Sequence, residues 1–173
     1  MQAVSGKPAT VAEGTSGDAV DQEHRRTKLA QVSSESATLI TDRLVAAKAR
    51  LADHFGCELS GLQKPQFLAY REGDFFRPHS DTSENPTEAA YVRERVVSAV
   101  VFVNGETEER ELLGYGGGAL SFYGLMDEGA QGEKIGLPLT GEAGLLVAFP
   151  SDLVHGVLPV TRGERYTIAS WFI

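Results

Sequence analysis

Small and apolar residues recur at steps of three or four through the first third of the chain. Leu29, Val32, Ser36, Ile40, Leu44, Ala47, Leu51 and Phe55 therefore stack on one face of a helix. The spacing predicts a helical segment over 21–54, as one helix or two, with Ser33-Ser34-Glu35-Ser36 as a natural break. Gly56 follows as a C-cap, with His54 in the last turn. After Pro65 the period changes. Segments 66–70, 75–79, 95–103, 119–123, 134–139, 144–149, 154–160 and 165–172 are short and rich in β-branched or aromatic residues, and Gly, Pro, Asn or Asp divides them. No helical pattern of comparable strength lies between them, which points to an antiparallel sandwich or barrel rather than βαβ units. The expected fold is mainly β with N-terminal helices: a helical support over 21–64 packed on a jelly roll over 65–173, behind a flexible leader at 1–20.

Composition narrows the function classes. The 173 residues are 42% hydrophobic and 23% charged, an ordinary globular mix. The net charge of −8 repels phosphate backbones and anionic lipid, so neither nucleic acid nor a membrane is an expected partner. Cys57 is the sole cysteine and reads as a small buried hydrophobe, which leaves no internal disulfide. The small, polar residues 1–18 contain no signal-peptide core, and no apolar run approaches a membrane span, so the expected location is the cytoplasm. Gly114-Tyr115-Gly116-Gly117-Gly118 lacks the Gly-Lys-Ser/Thr ending of a phosphate loop and reads as a glycine-rich entry to a strand. The charge runs at 93–95 and 106–111 read as solvated edges.

Four histidines carry the candidate chemistry. His24 and His54, in the helical third, read as solvated or capping residues. His79 closes Phe75-Phe76-Arg77-Pro78-His79-Ser80-Asp81, where two-residue spacing lets His79 and Asp81 point the same way from one strand end. A third ligand on a distant strand, for which His155 is placed, completes a face of two imidazoles and one carboxylate that suits a non-haem Fe(II). Arg165 comes ten residues after His155, beyond a turn at 159–163 that would bring its strand back beside that of His155. There it could offer a fixed fork to a carboxylate. Read alone, Arg165 is equally a surface strand arginine, and Arg162 is an alternative that the turn places in solvent.

The ordered set resembles the 2-oxoglutarate/Fe(II)-dependent dioxygenases, in their prolyl 4-hydroxylase-like branch. The resemblance runs from Gln66 to the C-terminus. It takes in Tyr70-Arg71-Glu72-Gly73-Asp74-Phe75, the His79-Ser80-Asp81 pair, Gly117-Gly118-Ala119-Leu120-Ser121-Phe122, Phe149-Pro150 before His155, then Arg165 and Trp171. It implies a double-stranded β-helix buttressed by one or two helices, in a single domain over 21–173. It also implies that His79, Asp81 and His155 bind Fe(II) as the catalytic centre, that Arg165 pairs with the far carboxylate of 2-oxoglutarate, and that Tyr70 hydrogen-bonds this cosubstrate. O2 is the oxidant and ascorbate a stimulant. An aspartate at the carboxylate position implies hydroxylation rather than halogenation.

The substrate implied is a prolyl or other residue in a peptide or protein, with a free amino acid or small biosynthetic intermediate as the alternative. The polar segment 82–88 reads either as a substrate loop or as a solvated connector. Two rivals from other classes remain: a non-catalytic metal-binding jelly-roll module, and an interaction module whose His/Asp set is incidental.

Overall fold

The helical period of the first third belongs to one helix, α1 (Ser34–Phe55), in a computed structural model that describes residues 23–108, 113–125 and 135–173. The expected leader at 1–20 lies outside the described residues. Ser33 caps the helix by accepting the Ser36 N–H at 3.2 Å, so the serine patch marks its start rather than an internal break. At the other end Gly56 sits at φ 63°. Cys57 N–H bonds to the Ala52 carbonyl and Gly56 N–H to that of Asp53, which closes the helix with the paired bonds of a Schellman motif.

Ahead of the helix the expectation needs correcting. Residues 25–29 form two short strands, β1 (Arg25–Arg26) and β2 (Lys28–Leu29), which pair with different sheets. Arg25 and Thr27 are buried while Arg26 is exposed, a period of two that pairing to open sheet edges enforces over helical preference. Leu29 is therefore part of a strand, and Val32 and Ser36 are exposed rather than members of the buried stripe.

The remaining elements are β3 (Gln66–Arg71), β4 (Phe75–His79), α2 (Ala90–Arg93), β5 (Val97–Phe102), β6 (Gly116–Gly117), β7 (Leu120–Tyr123), β8 (Gly136–Leu139), β9 (Leu146–Pro150), β10 (His155–Val157), β11 (Val160–Arg162) and β12 (Glu164–Phe172). They build two five-stranded sheets, β2-β3-β12-β5-β9 and β1-β4-β10-β7-β8, with a small β11-β6 pair. All the strand pairings are antiparallel, and the chain crosses repeatedly between the sheets, as a jelly roll requires.

Strand alternation then divides the labour. On β5 and β12, Val97, Ala99 and Phe172 turn outward and pack with Leu44, Ile40, Leu51 and Phe55 of α1. Burying each large side chain there contributes roughly 1.5–3 kcal/mol. The alternate positions of β12, Arg165, Thr167, Ala169 and Trp171, turn inward and line a cavity between the sheets.

Candidate active site

His79 reaches this cavity through an irregularity in β4. Opposite the two-residue step from His155 to Val157 on β10, β4 takes three residues, from His79 to Phe76. The extra residue is a β-bulge that turns Phe76 and His79 to the same face, where their rings stack at 3.6 Å. Pro78, which has no N–H, is tolerated in such a bulge. Gly156 on β10 makes room for it. A Cβ there would lie 2.8 Å from the Phe76 carbonyl oxygen and 3.2 Å from the Pro78 nitrogen, both backbone atoms that cannot swing away. Gly156→Ala is accordingly expected to destabilise the fold by roughly 1–3 kcal/mol, read from the urea midpoint. An unchanged midpoint would show that β4 and β10 are not in this close contact.

Asp81 follows β4, with its own N–H and that of Thr82 both donated to the Ser151 carbonyl. Its carboxylate lies 3.6 Å from His79 Nε2 through Oδ1 and 3.4 Å from His155 Nε2 through Oδ2. Ser98 Oγ donates to Oδ2 at 2.7 Å, and its remaining contact, Ser151 Oγ at 2.9 Å, must then donate to Ser98. The ligand-type atoms of His79, Asp81 and His155 all lie within 4.8 Å of one another. Phe149 packs against the His155 ring at 4.6 Å and keeps that side dry.

The protonation pattern follows from the partners. His79 Nδ1 is 2.8 Å from the Arg77 carbonyl and His155 Nδ1 is 2.9 Å from that of Leu153. A carbonyl can only accept, so each Nδ1 donates to it and each ring turns its Nε2 toward the carboxylate. Burial pushes the His79 imidazole below its ordinary value, with the Asp81 carboxylate opposing. Burial alone would raise the Asp81 carboxyl, but the imidazoles of His155 and His79 more than offset this and hold it well below the usual range. Three side chains that can each offer an electron pair thus converge. That arrangement calls for a cation, and the donor set fits Fe(II) with coordination positions left open.

Arg165 lies across the sandwich from these residues. The turn at 159–163 does not fold its strand back beside β10, as the spacing suggested. β12 pairs instead with β3 and β5 of the opposite sheet. Arg165 therefore faces the three donors across a cavity of about 210 Å³. It is 1% exposed, stands opposite Tyr70 in register, and has its guanidinium carbon 5.1 Å from the Tyr70 ring centre and 5.0 Å from that of Phe102. Nη1 donates to Thr167 Oγ1 at 3.2 Å, while Nε and Nη2 are buried without a hydrogen-bond partner. No carboxylate pairs with it among the described residues. A buried cation without a counter-ion is costly, so the site fits a ligand bringing an anionic group to this wall.

Other positions departed from expectation. Arg162 is on β11 and donates to the Thr107 carbonyl, rather than lying in solvent. His24 is half-buried, with its ring edge-on to Phe76 at the cavity. Arg95, read as part of a solvated charge run, is stacked 3.8 Å over Trp171 and donates to the Asp81 carbonyl at 3.0 Å. The segment after Asp81 leads to α2, whose Tyr91 and Val92 line the cavity. Ser98, Ser151, Arg25 and Tyr115 complete the surroundings; small or ordinary residues of this kind carry no motif in a single sequence.

The sequence model of the 2OG-Fe(II) oxygenase superfamily matches residues 65–173, more than half of the chain. The chain belongs to this superfamily. Among curated relatives, a PKHD-type hydroxylase from Shewanella oneidensis is 36% identical over 107 residues, which is 62% of this chain and 41% of that protein. A second PKHD-type hydroxylase, from Gluconobacter oxydans, is 32% identical over 108 residues, again 62% of this chain and 41% of that protein. The chain thus spans about two fifths of the length of these relatives. In fold it is similar to a Pseudomonas putida prolyl-4-hydroxylase, with a TM-score of 0.65 and 24% identity, covering 88% of this chain and 74% of that one. It is also similar to a viral collagen prolyl hydroxylase from Paramecium Bursaria Chlorella virus-1, with a TM-score of 0.57 and 17% identity, over 86% of this chain and 79% of that one. Both likenesses bear out the mainly β jelly roll with few helices.

Proposed function

We propose that this 2OG-Fe(II) oxygenase is a hydroxylase in which His79, Asp81 and His155 hold Fe(II) and Arg165 holds the far carboxylate of 2-oxoglutarate. The observation that carries the reading is the pair of unpartnered buried nitrogens on Arg165, facing three convergent metal-type donors across one cavity. A plain metal-binding module has no use for a buried, uncompensated guanidinium. When bound, Fe(II) and 2-oxoglutarate supply the oxidising chemistry, O2 converting the oxo acid to succinate and CO2 while one oxygen atom is inserted into a substrate C–H bond.

The chain's own residues bind and orient. The backbone carbonyls of Arg77 and Leu153 orient both imidazoles with Nε2 turned into the site. Ser98 fixes the Asp81 carboxylate, and the presence of that carboxylate favours hydroxylation over halogenation. Tyr70, opposite Arg165 in register and lining the cavity, would hydrogen-bond the cosubstrate. Phe76, Phe149 and Leu120 limit water around the histidines. Ascorbate would stimulate by keeping the iron ferrous.

For substrate we take a residue in a peptide or protein, proline first, supported by the hydroxylase names of the relatives and by a cavity lined in part by Tyr91 and Trp171. A free amino acid or small biosynthetic intermediate comes second. A single cysteine and a ferrous centre suit the reducing cytoplasm, and among the described residues no helix is long and apolar enough to cross a membrane. Protein given Fe(II), 2-oxoglutarate and O2 is expected to release succinate, faster with proline-containing peptides than with free amino acids. Stimulation by free amino acids alone moves the second substrate to first place. No iron-dependent succinate with any substrate contradicts the hydroxylase.

A further inference from the structure

We infer that Arg25, on the two-residue strand β1, is a positioning residue for His79, acting through the ring of Phe76; this rests on the reading of His79 as a metal ligand. β1 lies outside residues 65–173, the part of the chain that the superfamily model matches. Pairing with β4 sets Arg25 opposite Phe76 and Arg26 opposite Phe75. Arg25 is 8% exposed and lines the same cavity as the three metal-type side chains.

Two separate paths run from β1 to His79. The first passes through side chains. The Arg25 guanidinium carbon is 4.6 Å from the Phe76 ring centre, and the Phe76 and His79 rings stack at 3.6 Å with an interplanar angle of 19°. A ring stacked that closely covers one face of Phe76, which leaves the opposite face to the guanidinium. Phe76 is thus held between a cation drawn to its electron-rich face and the imidazole stacked on it. The second path passes through the backbone. Arg77 N–H donates to the His24 carbonyl at 3.0 Å, and the Arg77 carbonyl accepts from His79 Nδ1 at 2.8 Å. One residue of β4 therefore takes its register from β1 and hands it to the imidazole.

His79 needs this support more than His155 does. The His155 ring packs on Phe149, a member of the buried cluster with Phe102, Leu120 and Phe122. His79 ends β4, and its ring rests on Phe76, which is only partly buried and which residues 24 and 25 cover from the other side. The bulge between Phe76 and His79 also interrupts the pairing with β10, so β1 on the opposite edge supplies what that ladder lacks. The segment that carries Arg25 is anchored in turn on the other sheet. Thr27 Oγ1 donates to the Ala69 carbonyl at 3.0 Å, and Ala30 N–H to that of Phe67 at 2.7 Å.

The test compares wild type, Arg25→Met and Arg25→Lys by anaerobic titration with Fe(II) alone, well below the melting temperature of each. Arg25→Met keeps the apolar stem and is expected to bind Fe(II) roughly 3- to 30-fold more weakly, the range that a cation–π contact spans. Arg25→Lys returns a cation to the ring and is expected to recover most of that loss. By reciprocity, Fe(II) should slow hydrogen exchange of the Arg77 amide in the wild type, and by less in Arg25→Met. A lower melting temperature with unchanged Fe(II) affinity would overturn the inference and leave Arg25 a structural residue. An Arg25→Lys that binds no better than Arg25→Met, or a wild-type Arg77 amide indifferent to Fe(II), would overturn it as well. His79→Ala keeps the two failures apart: full iron retention in that variant would remove His79 from the metal site, and the role of Arg25 with it.

Discussion

Arg165→Met is expected to raise the thermal stability of the ligand-free protein while lowering its affinity for 2-oxoglutarate at least about 100-fold. Both effects come from one feature. Arg165 is 1% exposed, two of its nitrogens have no partner, and among the described residues no carboxylate pairs with it. Without ligand the fold therefore carries the desolvation cost of a charge that is only partly compensated, and burial pushes the guanidinium below its ordinary value despite the opposing Tyr70, Tyr115 and Glu106. Methionine keeps the length and apolar stem, contacts Tyr70 and Phe102, and removes that cost. A gain of about 1–3 kcal/mol would raise the melting temperature by several degrees in a chain of this size. The ligand-bound form loses instead, because the far carboxylate would then be buried without its cation. Iron content should be unaffected, since Arg165 lies across the cavity from the histidines. Scanning calorimetry of the iron-free protein and titration with 2-oxoglutarate read the two halves separately. A less stable variant that binds 2-oxoglutarate normally would mean that Arg165 is a structural arginine.

The second large effect is at Asp81. Asp81→Ala is expected to lower iron affinity by more than the 10- to 100-fold typical of outer partners of a metal ligand, and with it to abolish iron-dependent succinate formation. The reason is electrostatic as much as geometric. Asp81 is the single negative charge among three convergent donors, and its two oxygens face one histidine each. Without it, two imidazoles face each other at a ring separation of 4.5 Å with only the Ser98 hydroxyl at hand. The fold should persist, because the backbone bonds from residues 81 and 82 to Ser151 do not involve the side chain. Metal analysis after gel filtration, with near-ultraviolet circular dichroism as the fold control, reads both. Full iron retention by a folded variant would remove Asp81 from the metal site.

How far the sequence anticipates these features depends on the range over which each is encoded. The His79-Ser80-Asp81 spacing, the Gly56 stop and the strand segment at 165–172 are local patterns, and the structure keeps them. The sequence allows Arg165 to face the metal-type residues, but through a hairpin that the fold does not form. A turn at 159–163 suggests a hairpin, whereas the strands on either side of β11 join different sheets, a choice set by long-range pairing with β3 and β5. The same cause explains residues 25–29, whose strand state exists only because β3 and β4 offer open edges. Ser98, Arg25 and His24 carry no local signature. Ser98 matters because β5 brings it under Asp81, and Arg25 because β1 lays it on the Phe76 ring.

The most direct test of the central claim, that the three donors and Arg165 form one site for Fe(II) and 2-oxoglutarate, is an anaerobic titration of the protein with Fe(II) and then 2-oxoglutarate, followed in the visible spectrum. A weak metal-to-ligand charge-transfer band that saturates at one equivalent of each, and is lost in Asp81→Ala and weakened in Arg165→Met, is the result predicted. Iron binding without any band on adding 2-oxoglutarate, or a band indifferent to both substitutions, would contradict the account.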